Sequence, residues 1–290
     1  MRRLALLIAL LLIPFAAAAA AETVRLGERW YEIHLPARAS GAPLILALHG
    51  GGGDPDQFAD ASGLARAANR QGFAVAFPAG SGRRGERLLT WNGGYCCGYA
   101  ARLGIDDIGF LEQVIADAAQ RFGVDGSRVF LTGMSNGSIL AETFAARNPS
   151  RVRAVAGVSG TMDSSRNRVQ GRVPALVIHG TADPMVPYEG GQGDSSLTRT
   201  DFSSVASVIR AFKAPWGTLV ETSRRIDRRD DGTAVVVTDY SKAGRVVVRL
   251  MTVEGGAHHW PGGRKARLTE GKTQEIDANT EILRFFAMQP

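Results

Sequence analysis

The sequence predicts an α/β fold with a mostly parallel central sheet and helices on both of its faces. Short apolar runs alternate along the chain with longer segments of helical periodicity, which is the pattern of strands joined by crossover helices. Residues 43–50 (PLILALHG) and 73–78 (FAVAFP) are apolar throughout, as expected of strands covered on both faces. No repeat or low-complexity linker interrupts this alternation, so a single domain accounts for it.

The remaining elements continue the alternation. An alternating strand at 29–36 is predicted at the edge of the sheet. Further strands are predicted at 128–133, 152–160, 174–180 and 245–253, the last being the second arm of an antiparallel excursion and the last strand of the sheet. Helices are predicted at 59–72, 106–123, 136–149, near 202–213 and at 274–289. The glycine-rich connection over 78–104 is long for a compact domain, which indicates a functional loop.

The chain begins with two arginines, an apolar run over Leu4–Phe15 and a string of alanines, the layout of a secretory signal peptide. We expect residues 1–21 to be removed and residues 22–290 to form one domain that is secreted or periplasmic. A membrane anchor is the alternative. It is disfavoured because the run over Leu4–Phe15 is shorter than the roughly 20 residues of a spanning helix, so no membrane attachment is expected afterwards.

The charge pattern and the cysteines narrow the function further. The formal net charge is +6, but the basic residues are dispersed, and residues 223–231 (SRRIDRRDD) carry their own acids, so no nucleic-acid partner is expected. Cys96 and Cys97 are the two cysteines of the chain and are neighbours. In an oxidising compartment each has only the other as a partner within the chain. A bridge between neighbours is geometrically demanding, and two free thiols are the open alternative.

Residues 129–138 (VFLTGMSNGS) place Ser135 between two glycines, where an apolar strand gives way to a helix. In a chain with 35 glycines among 290 residues, this G-x-S-x-G pattern is not decisive by itself. The strand-turn-helix setting is more specific, because a sharp turn of this kind exposes a serine nucleophile. Ser135 is therefore the candidate nucleophile.

A serine nucleophile needs a general base that is itself oriented by a carboxylate. Asp183 follows one predicted strand, and His258 and His259 follow the last one, so all three would lie near Ser135 at the carboxyl ends of the strands. The other histidines have simpler explanations on a strand or in loop hydrogen bonds: His34, His49 and His179. The adjacent histidines have no Cys, Asp or Glu at ligand spacing, so neither a metal nor a cofactor is expected.

Ester chemistry at Ser135 would also need hydrogen-bond donors for an oxyanion. The backbone N–H of Asn136, the residue after the nucleophile, is one candidate. Gly51 in the run LHGGGGD is the other, with Gly52 next in preference.

Three aromatic side chains are predicted to line the substrate pocket: Trp91, Tyr95 and Trp260. They lie on loops that should end beside Ser135. Packing of Trp260 within its own loop is the alternative.

Seven segments together resemble secreted esterases of the polyhydroxybutyrate depolymerase and feruloyl esterase type. They are LALHGGGG, GFAVAFPAG, WNGGYCCG, DDIGFL, TGMSNGS, IHGTADPMVPY and EGGAHHWPGG. The resemblance spans about residues 30–287. It implies an α/β-hydrolase fold with Ser135, Asp183 and His258 as a catalytic triad, and it prefers His258 over His259. Ala257 departs from the glycine that is usual in such proteins.

The predicted function is that of an exported serine esterase that hydrolyses carboxylic esters through an acyl-enzyme. The substrate class implied by the resemblance is a polyhydroxybutyrate-type oligoester or a feruloyl-type ester, as a small molecule, oligomer or polymer. Two other functions stay open at this point. One is a non-catalytic envelope protein that uses the same fold for binding, and the other is an exported serine peptidase.

Overall fold

A ten-stranded sheet dominates the computed structural model, which describes residues 21–83, 85–196, 198–264 and 272–289. The strands are β1 (Glu22–Leu26), β2 (Arg29–His34), β3 (Pro43–Leu48), β4 (Ala74–Pro78), β5 (Asp125–Met134), β6 (Ala154–Val158), β7 (Ala175–Gly180), β8 (Val220–Ile226), β9 (Ala234–Lys242) and β10 (Arg245–Glu254). The helices are α1 (Pro55–Ser62), α2 (Leu64–Asn69), α3 (Gly98–Arg102), α4 (Asp107–Phe122), α5 (Asn136–Arg147), α6 (Val205–Lys213) and α7 (Ala278–Ala287), and a short 3-10 turn spans Ala214–Trp216.

The middle of the sheet is parallel and its two margins are antiparallel. Its strand order is β1-β2-β4-β3-β5-β6-β7-β10-β9-β8. The pairs from β4 to β10 in this order are parallel, whereas β1, β2, β8 and β9 pair antiparallel to their neighbours. The parallel strands are buried on both faces, as their uninterrupted apolar sequences predict.

Two hydrophobic cores lie on opposite faces of the sheet. One contains residues of α4, α5 and α6, such as Leu111, Phe144 and Phe212. The other contains residues of α1, α2 and α7, such as Leu64 and Phe285. Helices therefore cover both faces of a mostly parallel sheet, as predicted. No described helix is long and apolar enough to cross a membrane.

Three local features differ from the sequence-based expectation. The strand at 29–34 is not at the edge, because β1 pairs with it on the outside. The helix predicted over 59–72 is two helices, α1 and α2, which are separated at Gly63 with φ 64°. At the opposite margin β8 extends the antiparallel part of the sheet by one further strand, which is almost wholly exposed.

The parallel strands place their following loops at one end of the sheet. The loops after β3, β4, β5, β6, β7 and β10 meet there, and each candidate site residue lies on one of them. The signal peptide predicted for residues 1–21 lies almost entirely outside the described residues.

Candidate active site

Ser135 is the single residue between β5 and α5. Its backbone has φ 56° and ψ −123°, a conformation that residues other than glycine rarely adopt. Its neighbours Gly133 and Gly137 have no room for a side chain. A Cβ on Gly133 would collide with the backbone of Gly137, and a Cβ on Gly137 with the carbonyl oxygens of Leu48 and His49. The glycines thus permit the sharp turn that presents Ser135 at the carboxyl edge.

Asp183 and His258 are hydrogen-bonded at the same edge. His258 Nδ1 donates to Asp183 Oδ2 at 2.8 Å, while Oδ1 accepts the backbone N–H groups of Met185 and Val186, both at 2.9 Å. Burial would raise the pKa of Asp183, but hydrogen bonds from His179 and His258 outweigh burial and lower that pKa. An ionised Asp183 holds the proton of His258 on Nδ1, which leaves Nε2 as the acceptor that a general base needs.

The end of β6 joins Ser135 to the loop that carries His258. The backbone N–H of Ser135 donates to the carbonyl oxygen of Val158 at 2.8 Å. The next residue, Ser159, donates from its hydroxyl to the carbonyl oxygen of His259 at 3.3 Å. No residue in the described part of the chain hydrogen-bonds the Ser135 hydroxyl. The backbone of Ser135 is therefore linked through the end of β6 to the loop that carries His258, and the Ser135 hydroxyl has no hydrogen-bond partner in the described chain.

The backbones of Gly51 and Asn136 are adjacent. A Cβ on Gly51 would lie 3.5 Å from Asn136 Cβ. The N–H of Gly52 donates to the carbonyl oxygen of Leu89 at 2.7 Å, so this amide already has an acceptor. The N–H of Asn136 begins α5 and has no acceptor within that helix. Gly51 and Asn136 are therefore better placed than Gly52 to donate to an oxyanion.

Trp91 lies beneath this glycine loop and not at the surface. Its indole Nε1–H donates to the carbonyl oxygen of His49 at 2.9 Å. Its backbone N–H and C=O exchange hydrogen bonds with the side-chain amide of Asn136, at 2.7 and 3.0 Å. The Trp91 side chain is 0% exposed, so it offers no surface to a substrate. This burial corrects the prediction that Trp91 lines the pocket: Trp91 ties the loop that carries Gly51 to the residue after Ser135.

His49 fixes the same loop from within. Its Nε2 accepts the N–H of Gly80 at 3.0 Å, so its proton is on Nδ1, which lies 2.8 Å from the carbonyl oxygen of Gly50. Complete burial lowers the pKa of His49 to about 4, so the ring is neutral near pH 7. Both ring nitrogens bond to loop backbone, as the sequence analysis expected for this histidine.

Comparison with known proteins identifies the family to which this chain belongs. The family model described as "Esterase PHB depolymerase" matches residues 30–169. Feruloyl esterase B of Piromyces equi is 28% identical over 225 residues, which are 75% of this chain and 39% of that protein. A protein of Nocardia uniformis subsp. tsuyamanensis that is named as an esterase, NocK, is 30% identical over 272 residues, which are 86% of this chain and 75% of NocK. The chain belongs to the esterase family of the polyhydroxybutyrate depolymerase and feruloyl esterase type.

A solved structure agrees with this esterase in fold. The acetyl xylan esterase from Aspergillus awamori superposes with a TM-score of 0.62 over 93% of this chain and 100% of the other, at 15% identity. The shared architecture confirms the predicted α/β-hydrolase fold. With its relatives named as esterases, the chain is a carboxylic ester hydrolase.

The other two predicted pocket aromatics have different environments in the esterase. Tyr95 is half-buried, and its hydroxyl donates to the carbonyl oxygen of Thr161 at 2.6 Å. Trp260 is only 6% exposed, packs edge-to-face on Phe58 at 5.3 Å and donates from Nε1 to Asn279 Oδ1 at 3.1 Å. Trp260 packs against α1 and α7 and not within its own loop, so this packing differs from the alternative considered from the sequence, and it leaves Trp260 little surface for a substrate.

The esterase pairs Cys96 with Cys97, and the peptide bond between them is cis. The backbone of this pair folds back on the Trp91 segment: Cys97 N–H donates to the carbonyl oxygen of Trp91 at 2.9 Å, and Gly93 N–H to that of Cys96 at 2.6 Å. Cys96 packs against Ile139, in the first turn of the helix that follows Ser135. The cysteine pair thus lies behind the candidate nucleophile.

His259 and His179 are each engaged by backbone. His259 Nδ1 lies 3.1 Å from the carbonyl oxygen of Ala257, and its Nε2 accepts the N–H of Thr273 at 3.2 Å. Burial lowers the pKa of His259. The Nε2 of His179 donates to the carbonyl oxygen of Val186 at 2.8 Å and lies 3.4 Å from Asp183 Oδ2, so this nitrogen is already occupied by two acceptors. Of the histidines near Ser135, His258 has the partner set of a general base.

The sequence patterns did not reveal Glu142, a buried carboxyl inside α5, the helix that follows Ser135. Its Oε2 accepts the N–H of Met162 at 2.8 Å, and Ser138 Oγ lies 3.5 Å from its Oε1. Complete burial raises the pKa of Glu142 to about 8, so the carboxyl is largely protonated at neutral pH. No local pattern signals this position, because a glutamate within a helix ordinarily faces solvent.

The described residues contain no group of three His, Cys, Asp or Glu side chains that could hold a metal ion. Ser135, the Asp183–His258 pair and the backbone amides around Gly51 are the reactive and polar groups that the described structure brings to this edge.

Proposed function

We propose that this esterase is exported and hydrolyses carboxylic esters through an acyl-enzyme on Ser135. The observation that carries the proposal is the pairing of a sharply turned, uncommitted serine with the Asp183–His258 hydrogen bond at one edge of the sheet. A serine in this backbone conformation is otherwise hard to explain, because the conformation costs energy that ordinary turns avoid.

The proposed reaction has two steps of the same form. Ser135 Oγ attacks the ester carbonyl carbon while His258 Nε2 takes the serine proton, and Asp183 stabilises the resulting imidazolium. The N–H groups of Gly51 and Asn136 hold the negative oxygen of the tetrahedral intermediate. The C–O bond to the alcohol then breaks, and His258 returns the proton to the leaving alkoxide. Water, deprotonated by His258, attacks the acyl-enzyme and releases the acid and the free serine.

The preferred substrates in this proposal are polyhydroxybutyrate-type oligoesters or feruloyl-type esters. The support for them is the membership of the chain in the family and its similarity to feruloyl esterase B of Piromyces equi. The mature protein would be secreted or periplasmic, which rests on the signal-like residues 1–21 and fits a bridge between Cys96 and Cys97.

An organophosphate that modifies active-site serines tests the mechanism. The mature protein should gain one phosphoryl adduct by intact mass, and Ser135→Ala should gain none. Ser138→Ala is the matched control, because this serine lies on the first turn of the same helix but is buried, and its variant should still be labelled. Labelling of Ser135→Ala to the same extent would refute the proposal, and it would leave a non-catalytic binding role as the better explanation. Turnover of ester against peptide substrates then separates an esterase from a peptidase.

A further inference from the structure

A cavity of about 770 Å³ opens at the same end of the sheet as Ser135. Its walls come from three segments that follow β4, β6 and β7: the segment from Tyr95 to Arg102, residues 163–166 and residues 198–203. The ring of Tyr95 meets that of Phe202 edge-to-face at 5.9 Å and forms an apolar part of the wall. A volume of this size suits a small molecule or the end of an oligomer.

Tyr95 connects this cavity with the surroundings of the nucleophile. Its hydroxyl donates to the carbonyl oxygen of Thr161 at 2.6 Å. Thr161 follows Gly160, where a side chain would collide with the carbonyl oxygen of Ser135. The wall of the cavity therefore continues into the backbone beside Ser135.

Three exposed arginines line the cavity: Arg102, Arg166 and Arg199. Within the described part of the chain, Arg102 and Arg199 form no ion pair, whereas Arg166 Nε pairs with Asp163 Oδ2 at 3.6 Å. Elsewhere on the surface, Arg121 and Arg264 contact acids at 2.9 and 2.7 Å. Arg102 and Arg199 are thus less paired than comparable arginines outside the cavity.

Two acids share the cavity wall and do not cancel this charge. Asp163 is buried, and its Oδ1 already accepts the N–H and the hydroxyl of Ser165, at 3.1 and 2.6 Å. Asp201 is exposed. Because Arg166 pairs with Asp163, the guanidinium groups of Arg102 and Arg199 face only the carboxylate of Asp201, which leaves a net attraction for a single negative charge. Guanidinium groups bind carboxylates through paired hydrogen bonds, which makes a carboxylate the best-suited anion.

We propose that this cavity is a subsite for a carboxylate on the substrate, contacted by Arg102 and Arg199, so that the esterase prefers esters that carry a negative charge beyond the scissile bond. The inference rests on the proposed ester hydrolysis at Ser135. Two sources could supply such a carboxylate. One is the free carboxyl end of an oligoester of hydroxyacids, and the other is a uronic acid on an esterified polysaccharide.

The test compares substrates that differ only in this charge. The first pair is the trimer of 3-hydroxybutyrate as the free acid and the same trimer capped as an N-methylamide. The second pair is acetylated xylotriose with and without a glucuronate substituent. In at least one pair, wild-type kcat/KM should be about ten- to a hundred-fold higher for the charged member, the range that charge-assisted hydrogen bonds provide. The pair of substrates in which the charged member is preferred identifies the source of the carboxylate.

Variants assign the preference to the cavity. The double variant Arg102→Gln and Arg199→Gln should lose the preference for the charged substrate. Arg128→Gln, an exposed arginine near the opposite end of β5, should keep it. Equal rates within both wild-type pairs, or a preference that survives the double variant, would overturn the proposal.

A binding measurement separates this inference from the proposed function. Calorimetric titration of Ser135→Ala needs no turnover, and the charged member of a pair should bind about ten-fold or more tightly than its neutral counterpart. If wild type hydrolyses no ester while Ser135→Ala shows this difference, the proposed function fails and the carboxylate subsite stands. If Ser135→Ala binds both members equally, the subsite is refuted whatever the wild type hydrolyses.

Discussion

The two halves of the candidate active site are held in different ways. On the side of β3, β4 and β5, hydrogen bonds between side chains and backbone join Asn136, Trp91 and His49 into one unit around the glycine loop. On the side of β7 and β10, two backbone N–H groups hold Asp183, and one hydrogen bond between side chains joins Asp183 to His258. The donor half is thus fixed by several bonds to the main chain, whereas the His258 ring is held by a single side-chain hydrogen bond.

This difference follows the demands of the proposed chemistry. Amides that stabilise an oxyanion must already point at it when charge develops, because any reorganisation would cost part of the stabilisation. The base must pass a proton from Ser135 to the leaving alcohol, so only one nitrogen of His258 can be tied down. The proposed chemistry therefore needs rigidly held oxyanion donors, together with a base that keeps one ring nitrogen free.

Removing the base should have the largest effect. We expect His258→Ala and Ser135→Ala each to lower kcat by about 10⁴- to 10⁶-fold, and the double variant to be little worse, because the members of a triad act as one unit. His259→Ala, in which the lost ring bonded only to backbone, should keep kcat within about ten-fold of wild type. Steady-state kinetics on one short ester measures all four proteins. Inactivation by His259→Ala with an active His258→Ala would reverse the assignment.

Loosening the donor half should have a smaller effect that appears in kcat. Trp91→Phe keeps an aromatic side chain but removes the indole N–H that donates to the carbonyl oxygen of His49. We expect kcat to fall about ten- to a hundred-fold, less than the loss of an oxyanion donor itself, with KM within about three-fold. Trp216→Phe is the matched control, because Trp216 is also buried but its indole nitrogen has no described partner. A rise in KM with unchanged kcat would instead return Trp91 to the substrate pocket.

The same contrast limits what the sequence could predict. Strand ends and chain order, which local patterns record, predict Ser135, Asp183 and one of the two adjacent histidines, and the family resemblance selects His258. The burial of Trp91 depends on Asn136, 45 residues away, and that of Trp260 on Phe58 and Asn279. Contacts of this kind leave no local signal, so the sequence predicts both tryptophans in the pocket wall.

The margins of the sheet show the same limit. The parallel strands can be predicted from their apolar runs. β8 (VETSRRI) cannot, because it is almost wholly exposed and its sequence has no apolar alternation. Its strand conformation depends on pairing with β9. β1 (ETVRL) is likewise short and mostly exposed, and it pairs outside the strand that alternation had placed at the edge.

The buried carboxyl behind Ser135 should make stability depend on pH. Burial raises the pKa of Glu142 from 4.5 to about 8. Its contribution to the free energy of unfolding is therefore full below about pH 4.5 and is lost as pH rises through about 8, because the unfolded chain ionises it first. The loss is at most about 1.4 kcal/mol per pH unit. Glu142→Gln, which cannot ionise, should gain stability relative to wild type between pH 5 and pH 8, as urea unfolding would show. The same difference at both pH values would mean that Glu142 does not titrate in this range.

The smallest effect on catalysis is expected from Trp260. Trp260→Phe removes a hydrogen bond to Asn279 in the packed layer around α7, where the side chain has little surface left for a substrate. It should lower the free energy of unfolding by about 1 to 3 kcal/mol and change kcat/KM less than about three-fold. Urea unfolding and kinetics on the same preparation measure both. A large fall in kcat/KM with unchanged stability would restore the substrate contact predicted from the sequence.

The most direct test of the central claim is a pre-steady-state burst with a chromogenic short-chain ester. The account predicts a burst of released alcohol that approaches one equivalent per enzyme molecule where deacylation is slow, with the acyl group found by peptide mass mapping on Ser135. It also predicts that Ser135→Ala gives neither the burst nor the adduct. An acyl group mapped to another residue in wild type, or a full burst from Ser135→Ala, would contradict the account.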